Sequence, residues 1–174
     1  MTKYIAFLRA INVGGHNVKM DELKKHFESL GFSNVETFIA SGNVIFETSA
    51  KDAAKLEKKI ESKLLETLKY EVTTFLRTPD EVADVAKYKP FKAKGEALNV
   101  AFIAEPLDEV AVKKLMTYKN EIDDFHVHGR EVYWLCQIKQ SESKFSNAAF
   151  EKIIGRRATF RGINTIQRMA EKYS

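Results

Sequence analysis

Arginine and glycine residues stand at positions of this sequence where they could hold an anion. The stretch LRAINVGGHNVKM (8–20) runs from an apolar segment through Gly14 and Gly15 into a segment with helical spacing. Unpaired N–H groups at the start of a helix attract anions, and glycines let a ligand approach the backbone closely. The loop matches neither the P-loop nor the dinucleotide-binding fingerprint. It therefore predicts either an anion site or a sharp turn between a strand and a helix.

Polar side chains near this loop extend the candidate site. Arg9 lies inside an otherwise apolar segment, where an unpaired charge is costly, so it requires either a buried carboxylate or a bound anion. Asn12 would hold the loop by hydrogen bonds from its side chain to the backbone. Ser41 and Asn43 flank Gly42 in a predicted hairpin, where they are either ordinary turn residues or further ligand contacts.

The positive charge of the chain is concentrated near its C-terminal end. Of the net charge of +4, residues 139–174 contribute +5, from eight basic and three acidic residues, and the other 138 residues contribute −1, from 20 and 21. Arg156, Arg157 and Arg161 combine forked donors with the ring of Phe160, which suits contacts to phosphates and bases. The alternative is an arginine-rich surface with Phe160 in the core.

Two histidines on one predicted strand raise the question of a metal site. His126 and His128 alternate and therefore share a face. With a turn directly after them, His128 lies opposite Glu131 and His126 opposite Tyr133, while Cys136 falls on the other face. A zinc site made of both histidines and the cysteine is therefore not expected, and we predict no metal and no cofactor.

The elements that must position these residues follow from apolar spacing and turn signals. Residues 1–88 predict the order β-α-β-β-α-β-α, and after a polar linker at 89–96 the same order recurs over residues 97–174. We predict an α+β fold of two ferredoxin-like βαββαβ units in tandem, each with an extra C-terminal helix. The strands are expected at 4–11, 34–40, 43–47, 71–77, 97–104, 124–128, 131–137 and 157–160, with helix starts signalled by a cap at Ser49, by Thr78-Pro79-Asp80-Glu81 and by Asn164.

Composition favours an ordinary folded protein of the cytoplasm. The chain has 44% hydrophobic and 30% charged residues and a single cysteine, which cannot form an internal disulfide. No apolar stretch approaches the roughly 20 residues that a membrane helix needs. The segment YIAFLRAI near the N-terminus has the pattern of a first strand and lacks that of an export signal.

The motifs LRAINVGGHNVKM, ASGNVIF and ATFRGINTIQRMAEKY together resemble the Domain of Unknown Function 1697 family of bacterial proteins, over residues 4–173. In the family's tail pattern T-x-R-N-W-x-T, this chain has Gly162 and Ile163 in place of the Asn-Trp pair, so a site made by that pair would be altered here. The resemblance implies a paired ferredoxin-like α+β fold in the cytoplasm, and it implies no activity and no catalytic residue. The matching residues are Leu8, Arg9, Ile11, Asn12, Val13, Gly14, Gly15, Met20, Leu23, Ser41, Gly42, Asn43, Ser143, Lys144, Thr159, Arg161 and Thr165.

These patterns favour an anion-binding protein and assign it no reaction. Its ligand would be a nucleotide, a phosphometabolite or a nucleic acid, held by Arg9, the Gly14–Gly15 loop and the three C-terminal arginines. One alternative is a small-molecule enzyme with its pocket between the two halves. Another is a protein-interaction module that uses exposed sheet edges.

Overall fold

A computed structural model describes residues 1–11, 17–39 and 42–173 of the chain. Contacts between residues divide it into two units, Met1–Val82 and Ala83–Ser174. Each unit contains a four-stranded sheet whose paired strands are antiparallel, and the described residues form six α-helices, so the fold is α+β as predicted. None of the helices described is long and apolar enough to cross a bilayer. The predicted site residues Asn12, Gly14, Gly15 and Ser41 lie outside the described residues.

The first unit follows the predicted order of elements. They are β1 (Thr2–Leu8), α1 (Met20–Glu28), β2 (Ser33–Thr37), β3 (Asn43–Thr48), α2 (Ala53–Leu68), β4 (Thr74–Arg77) and the start of α3 (Pro79–Lys87). The strands pair in the order β2-β3-β1-β4, so β1 lies between β3 and β4.

The apolar stripes of α1 and α2 form a hydrophobic core with one face of this sheet. Every second residue of β1 faces these helices, as the period of a strand requires. Gly31 ends the turn after α1 with a φ of +90°, a conformation that glycine adopts without strain. The buried residues of this core include Tyr4, Ala6, Leu8, Leu23, Phe27, Val44, Phe46, Leu56, Ile60, Leu64 and Leu76.

Side-chain caps fix the starts of α2 and α3. The prediction of Ser49 as the cap of α2 is wrong, because Asp52 directly precedes the helix and its carboxylate accepts a hydrogen bond from the amide of Lys55 at 3.2 Å. The capping box before α3 is confirmed. The amide of Thr78 donates to the Glu81 carboxylate at 2.9 Å, and the amide of Glu81 donates to the Thr78 hydroxyl at 3.2 Å.

The second unit repeats the order of the first. After the end of α3 come β5 (Ala97–Phe102), α4 (Glu109–Met116), β6 (Asp123–His128), β7 (Glu131–Cys136), a short 3₁₀ helix (Gln140–Glu142), α5 (Asn147–Ile154), β8 (Thr159–Gly162) and α6 (Ile163–Tyr173). The strand order β6-β7-β5-β8 matches that of the first sheet. Strand β8 lies two residues later than predicted.

An aromatic cluster fills the core of the second unit. Trp134 lies with its ring centroid 5.0 Å from that of Phe145 and 5.7 Å from that of Phe160, and Phe160 lies 5.1 Å from Phe150. Phe160 is partly buried against this core. The Phe160 ring therefore packs in the core, which was the alternative to its stacking on bases at the surface.

The two sheets share a buried arginine at equivalent positions. Arg77 of β4 lies opposite Ile5 of β1, and Arg161 of β8 lies opposite Val100 of β5. Both side chains are buried, and each guanidinium donates to the carbonyl of the residue before it, at 2.9 Å in both cases. The halves thus correspond at the level of individual residues as well as in element order.

Candidate ligand-binding site

The second sheet turns one face to the aromatic core and the opposite face to the segment that follows α3. Leu98 and Leu135 are direct cross-strand partners, and Val100 pairs with Tyr133 in the next row. Because side chains alternate along a strand, these four lie on the face away from Trp134. This face forms the base of the candidate site.

Tyr88 attaches the segment after α3 to this face. Its hydroxyl lies 2.7 Å from Nε2 of His126, and its ring stacks on His128 with a centroid distance of 3.9 Å and an interplanar angle of 15°. The Tyr88 and Tyr133 centroids are 5.4 Å apart. Tyr133 in turn donates a hydrogen bond from its hydroxyl to the carbonyl of Val85 in α3, at 2.8 Å. Tyr133 therefore holds the end of α3 against the second sheet, and Tyr88 holds the first residue after it.

The register of the two histidines agrees with the prediction. His128 lies opposite Glu131 and His126 opposite Tyr133. Among the described residues there is no group of three or more metal-ligating side chains. Both histidines instead contact Tyr88, and His126 also meets the edge of the Phe91 ring at a centroid distance of 6.5 Å.

Gly95 brings the end of this segment close to β7. A Cβ atom at this position would lie 2.7 Å from the Cys136 carbonyl oxygen and 2.8 Å from Cδ1 of Leu135. Both distances are shorter than real Cβ contacts, so the residue must be glycine for the chain to pass here. Residues 89–96, predicted as a linker, form neither helix nor strand but are packed in this way against the sheet.

Between the segment and the sheet lies a pocket of about 290 Å³. Its base is formed by Leu98 and Leu135. Ile163 and Gln167, one turn apart on α6, form another side. The full lining consists of the apolar residues Ala86, Pro90, Phe91, Ala93, Leu98, Leu135 and Ile163, together with Gly95 and the polar residues Tyr88, Lys89, Lys94 and Gln167.

The pocket lies beside a concentration of lysines. Residues 87–94 contain Lys87, Lys89, Lys92 and Lys94 and no acidic residue, and all four side chains are exposed. Lys89 and Lys94 line the pocket. Neither has a carboxylate partner among the described residues. Their charge is thus available to an anion that enters the pocket.

Comparison with known proteins bears on the fold and the family. The family described as "protein of unknown function (DUF1697)" matches residues 1–133. The chain belongs to the DUF1697 family. The matched region includes residues 87–94, which we call the lysine segment, and β5, whereas Leu135 and α6 lie beyond it. No curated protein matches the chain.

A solved structure of a conserved bacterial protein from Streptococcus pneumoniae is similar to this DUF1697 protein. The TM-score is 0.79 at 23% sequence identity, over 99% of this chain and 98% of the other. At this identity the similarity shows the fold alone. It covers both units, including the elements that form the pocket.

The structure places the described residues of the predicted site in the first unit at the end of its sheet. Arg9 directly follows β1, and its amide donates to the Thr73 carbonyl at 2.9 Å. Asn43 is buried at the start of β3 and donates from Nδ2 to the Phe38 carbonyl at 2.9 Å. The Asn43 amide thus closes the hairpin, which is the role of a turn residue.

The three C-terminal arginines have different environments. Arg156 and Arg157 follow α5 and, with Glu151 and Lys152, line an open groove of about 420 Å³. Arg156 donates to the carbonyl of Glu105 at 3.1 Å. The Arg161 side chain, on β8, is instead buried, so the three side chains do not form one exposed cluster.

Burial dominates the electrostatics of Arg161. Its guanidinium donates to the Thr159 hydroxyl at 2.7 Å and to the Phe160 carbonyl at 2.9 Å. Removal from water disfavours the charged form and lowers the pKa of Arg161 to about 10. Both acceptors belong to β8, so these bonds hold the guanidinium against its own strand.

A buried polar network lies on the opposite, core face of the second sheet. The Asp123 carboxylate accepts hydrogen bonds from Nε1 of Trp134 at 2.8 Å and from Oγ of Ser143 at 3.0 Å. Burial raises the pKa of the adjacent Cys136 thiol, and the Asp123 charge acts in the same direction. The thiol is therefore held in its protonated, unreactive form.

The lysine segment is the part of the candidate site that the sequence prediction missed. Residues 1–138 contain 20 basic and 21 acidic residues, so the net charge of this part of the chain does not reveal the four lysines. The signal was present in the stretch KYKPFKAKG (87–95), where lysines alternate with Tyr88, Pro90 and Phe91. Basic residues interleaved with aromatic ones are typical of surfaces that bind phosphates and rings.

Proposed function

We propose that this DUF1697 protein binds a small phosphate-bearing ligand in the pocket of its second unit. One observation carries the proposal, namely an apolar pocket of about 290 Å³ lined by Lys89 and Lys94, which have no carboxylate partner among the described residues. The apolar residues would cover a ring or another flat body. The lysines would neutralise the phosphate.

The size of the pocket limits the ligand. Small-molecule sites in proteins usually measure about 300–1,000 Å³, so this pocket of about 290 Å³ lies just below that range. It suits one ring system that carries one charged group, up to the size of a mononucleotide. A dinucleotide or a long lipid chain would exceed it.

The distribution of charge supports an anion as the ligand. Residues 1–82 contain twelve basic and twelve acidic residues and are neutral, whereas residues 83–174 contain sixteen and twelve. The whole net charge of +4 thus belongs to the unit that contains the pocket. A positive field around a site raises the rate at which anions reach it.

For the architecture, we propose two ferredoxin-like βαββαβ units that arose by duplication. The order strand, helix, two strands, helix, strand in each unit supports this, as do the antiparallel sheets with matching strand orders. The equivalent buried arginines Arg77 and Arg161 support the duplication. A cytoplasmic location stays part of the proposal, supported by the single buried thiol of Cys136.

The glycine loop and the arginine groove stay predictions. Arg9, Asn12, Gly14, Gly15, Ser41 and Asn43 remain candidate contacts for an anion in the first unit, and Arg156 and Arg157 remain candidates in the second. Arg161 is a weaker candidate, since two of its donor contacts are to Thr159 and Phe160. The pocket is preferred because it offers apolar cover as well as charge.

A fluorescent probe with a ring and a phosphate tests the proposal. We expect 1-naphthyl phosphate to bind at one site per chain, measured by calorimetry and by its fluorescence. In Lys89→Gln/Lys94→Gln the affinity should fall at least about tenfold, because two charge-assisted contacts are lost. The matched control is Lys113→Gln/Lys114→Gln, which removes the same charge from exposed positions on α4 and should change the affinity less than about twofold.

Two outcomes would contradict this site. The first is no binding of 1-naphthyl phosphate to the folded wild-type protein. The second is an equal loss in both double variants, because the probe would then respond to net charge and not to the pocket.

A further inference from the structure

We infer that the ligand of this pocket is a nucleotide and that the amide of Gln167 recognises its base. The inference rests on the proposed function and adds the class of ligand to it. It starts from the three kinds of group that line the pocket, which are apolar side chains, lysines and a single amide. Of the lining side chains that the structure describes, Gln167 alone carries that amide.

The position of Gln167 makes its amide available to a ligand. It lies one turn after Ile163 on α6, and both line the pocket, so the same face of the helix provides an apolar and a polar contact. Gln167 is partly buried, and its side-chain amide has no hydrogen-bond partner among the residues described. Both its donor and its acceptor are therefore unused by the protein.

The other polar groups of the lining cannot read the edge of a ring in this way. Lys89 and Lys94 are donors only and would be used by the phosphate. The Tyr88 hydroxyl is already engaged with His126. A glutamine amide presents a donor and an acceptor side by side, which matches the paired donor and acceptor on the edge of a nucleobase.

The apolar residues complete the match to a base. Leu98 and Leu135 form the apolar bottom of the pocket, and Tyr88 and Phe91 also line it. Apolar and aromatic side chains pack well against the face of an aromatic ring, and the Gln167 amide would form hydrogen bonds with its edge. With a volume of about 290 Å³, the pocket suits one nucleotide unit.

The test compares nucleotides with a ring that has no hydrogen-bonding edge. The probes are the four ribonucleoside 5′-monophosphates and 1-naphthyl phosphate, each titrated by calorimetry. We expect at least one nucleotide to bind about tenfold or more tightly than 1-naphthyl phosphate, because a base edge pairs with the amide. In Gln167→Met, which keeps the length of the side chain and removes the amide, this preference should fall to less than about twofold, with 1-naphthyl phosphate binding unchanged.

The matched control is Gln140→Met, at an exposed position outside the lining, which should keep the full preference. If 1-naphthyl phosphate binds and the nucleotide preference is absent, or persists in Gln167→Met, the inference is overturned while the proposed function stands. If 1-naphthyl phosphate does not bind, the proposed function fails, and the inference fails with it. Equal thermal stability of Gln167→Met and wild type would show that the fold is intact.

The same chemistry is offered by a free nucleotide and by the end of a nucleic-acid strand. A 5′-phosphorylated tetranucleotide distinguishes them. If the ligand is the end of a strand, the tetranucleotide should bind more tightly than the mononucleotide, and its affinity should fall more steeply with salt because more phosphates are neutralised. If the ligand is a free nucleotide, the mononucleotide should bind at least as tightly as the tetranucleotide. In both cases the loss on Gln167→Met supports the role of the amide.

Discussion

The hydroxyl oxygen of Tyr88 lies 2.7 Å from Nε2 of His126, and the two ring centroids are 5.5 Å apart. This contact joins the first residue after α3 to strand β6. Together with the stacking of Tyr88 on His128, it determines where the lysine segment crosses the second sheet. One side of the pocket therefore depends on a polar contact between residues 38 positions apart.

Tyr88→Phe removes this hydrogen bond and keeps the stacked ring. We expect the free energy of unfolding to fall by about 1 kcal/mol, measured by urea denaturation, because one partly buried hydrogen bond is lost. The affinity for 1-naphthyl phosphate should fall as well, since the segment is less firmly held. Tyr118→Phe, at an exposed ring outside the pocket, serves as the control. Equal stability of the two variants would show that the contact does not hold the segment.

Gly95→Ala places a Cβ atom against β7. With contacts of 2.7 Å to the Cys136 carbonyl oxygen and 2.8 Å to Leu135, the segment must move away from the sheet. We expect a loss of about 1–3 kcal/mol in the free energy of unfolding, as for other overpacked sites, and weaker binding of 1-naphthyl phosphate. Glu96→Ala, at the next, exposed position, should change stability by less than about 0.5 kcal/mol. A Gly95→Ala variant as stable as Glu96→Ala would contradict the close approach.

Tyr133→Phe tests the alkaline side of the stability curve. Burial raises the pKa of the Tyr133 phenol, and the charges of Glu131 and Tyr88 act in the same direction. Above pH 10, the ordinary tyrosine value, the unfolded chain releases this proton while the folded chain keeps it, so the stability of the wild type falls as pH rises. The phenylalanine variant lacks this loss.

At pH 8, Tyr133→Phe should be less stable than wild type by about 1 kcal/mol, because the hydrogen bond to the Val85 carbonyl is lost. Between pH 9.5 and pH 11 (roughly the window above the ordinary tyrosine pKa) the difference should shrink. Urea denaturation of both proteins across this range measures it. A difference that stays constant or widens would mean that the Tyr133 proton is not retained on folding.

Asp123→Asn tests the buried network on the core face. The carboxylate accepts from Trp134 and Ser143, and an amide in its place would direct a second donor at one of them. We expect a loss of about 3 kcal/mol, against about 1 kcal/mol for Ser143→Ala, which removes only one donor. Binding of 1-naphthyl phosphate should be unchanged in folded protein, because the network lies on the opposite face from the pocket. A larger effect of Ser143→Ala than of Asp123→Asn would reverse the assigned roles.

The sequence predicted the elements well because apolar spacing and turn residues act locally. The helical spacing after the two glycines and the capping box at Thr78 and Glu81 each indicated a helix that the structure contains. Even the opposition of His126 and Tyr133 followed from the position of one turn. Errors of two or three residues at the ends of β1, β2, β4 and β8 arose because strand ends are set by pairing with a neighbouring strand, which apolar spacing alone does not report.

The pocket could not be predicted in the same way. Its lining comes from residues far apart in the chain, such as Tyr88, Leu135 and Gln167, and from a segment without regular structure. The path of that segment depends on the Tyr88 contact and on the close approach of Gly95, both of which are tertiary. Likewise, the burial of Arg161 depends on its alternation within β8, and the predicted strand ended one residue before it.

Mapping the bound ligand by NMR tests the pocket most directly. In amide correlation spectra of the ¹⁵N-labelled protein titrated with 1-naphthyl phosphate, we expect shift changes at Leu98 and Leu135, at Ile163–Gln167 and at residues 88–95 other than Pro90, which has no amide proton. Lys89→Gln/Lys94→Gln should suppress these changes. Shift changes confined to residues 12–16 or to Arg156 and Arg157, with residues 88–95 unaffected, would contradict the pocket as the binding site.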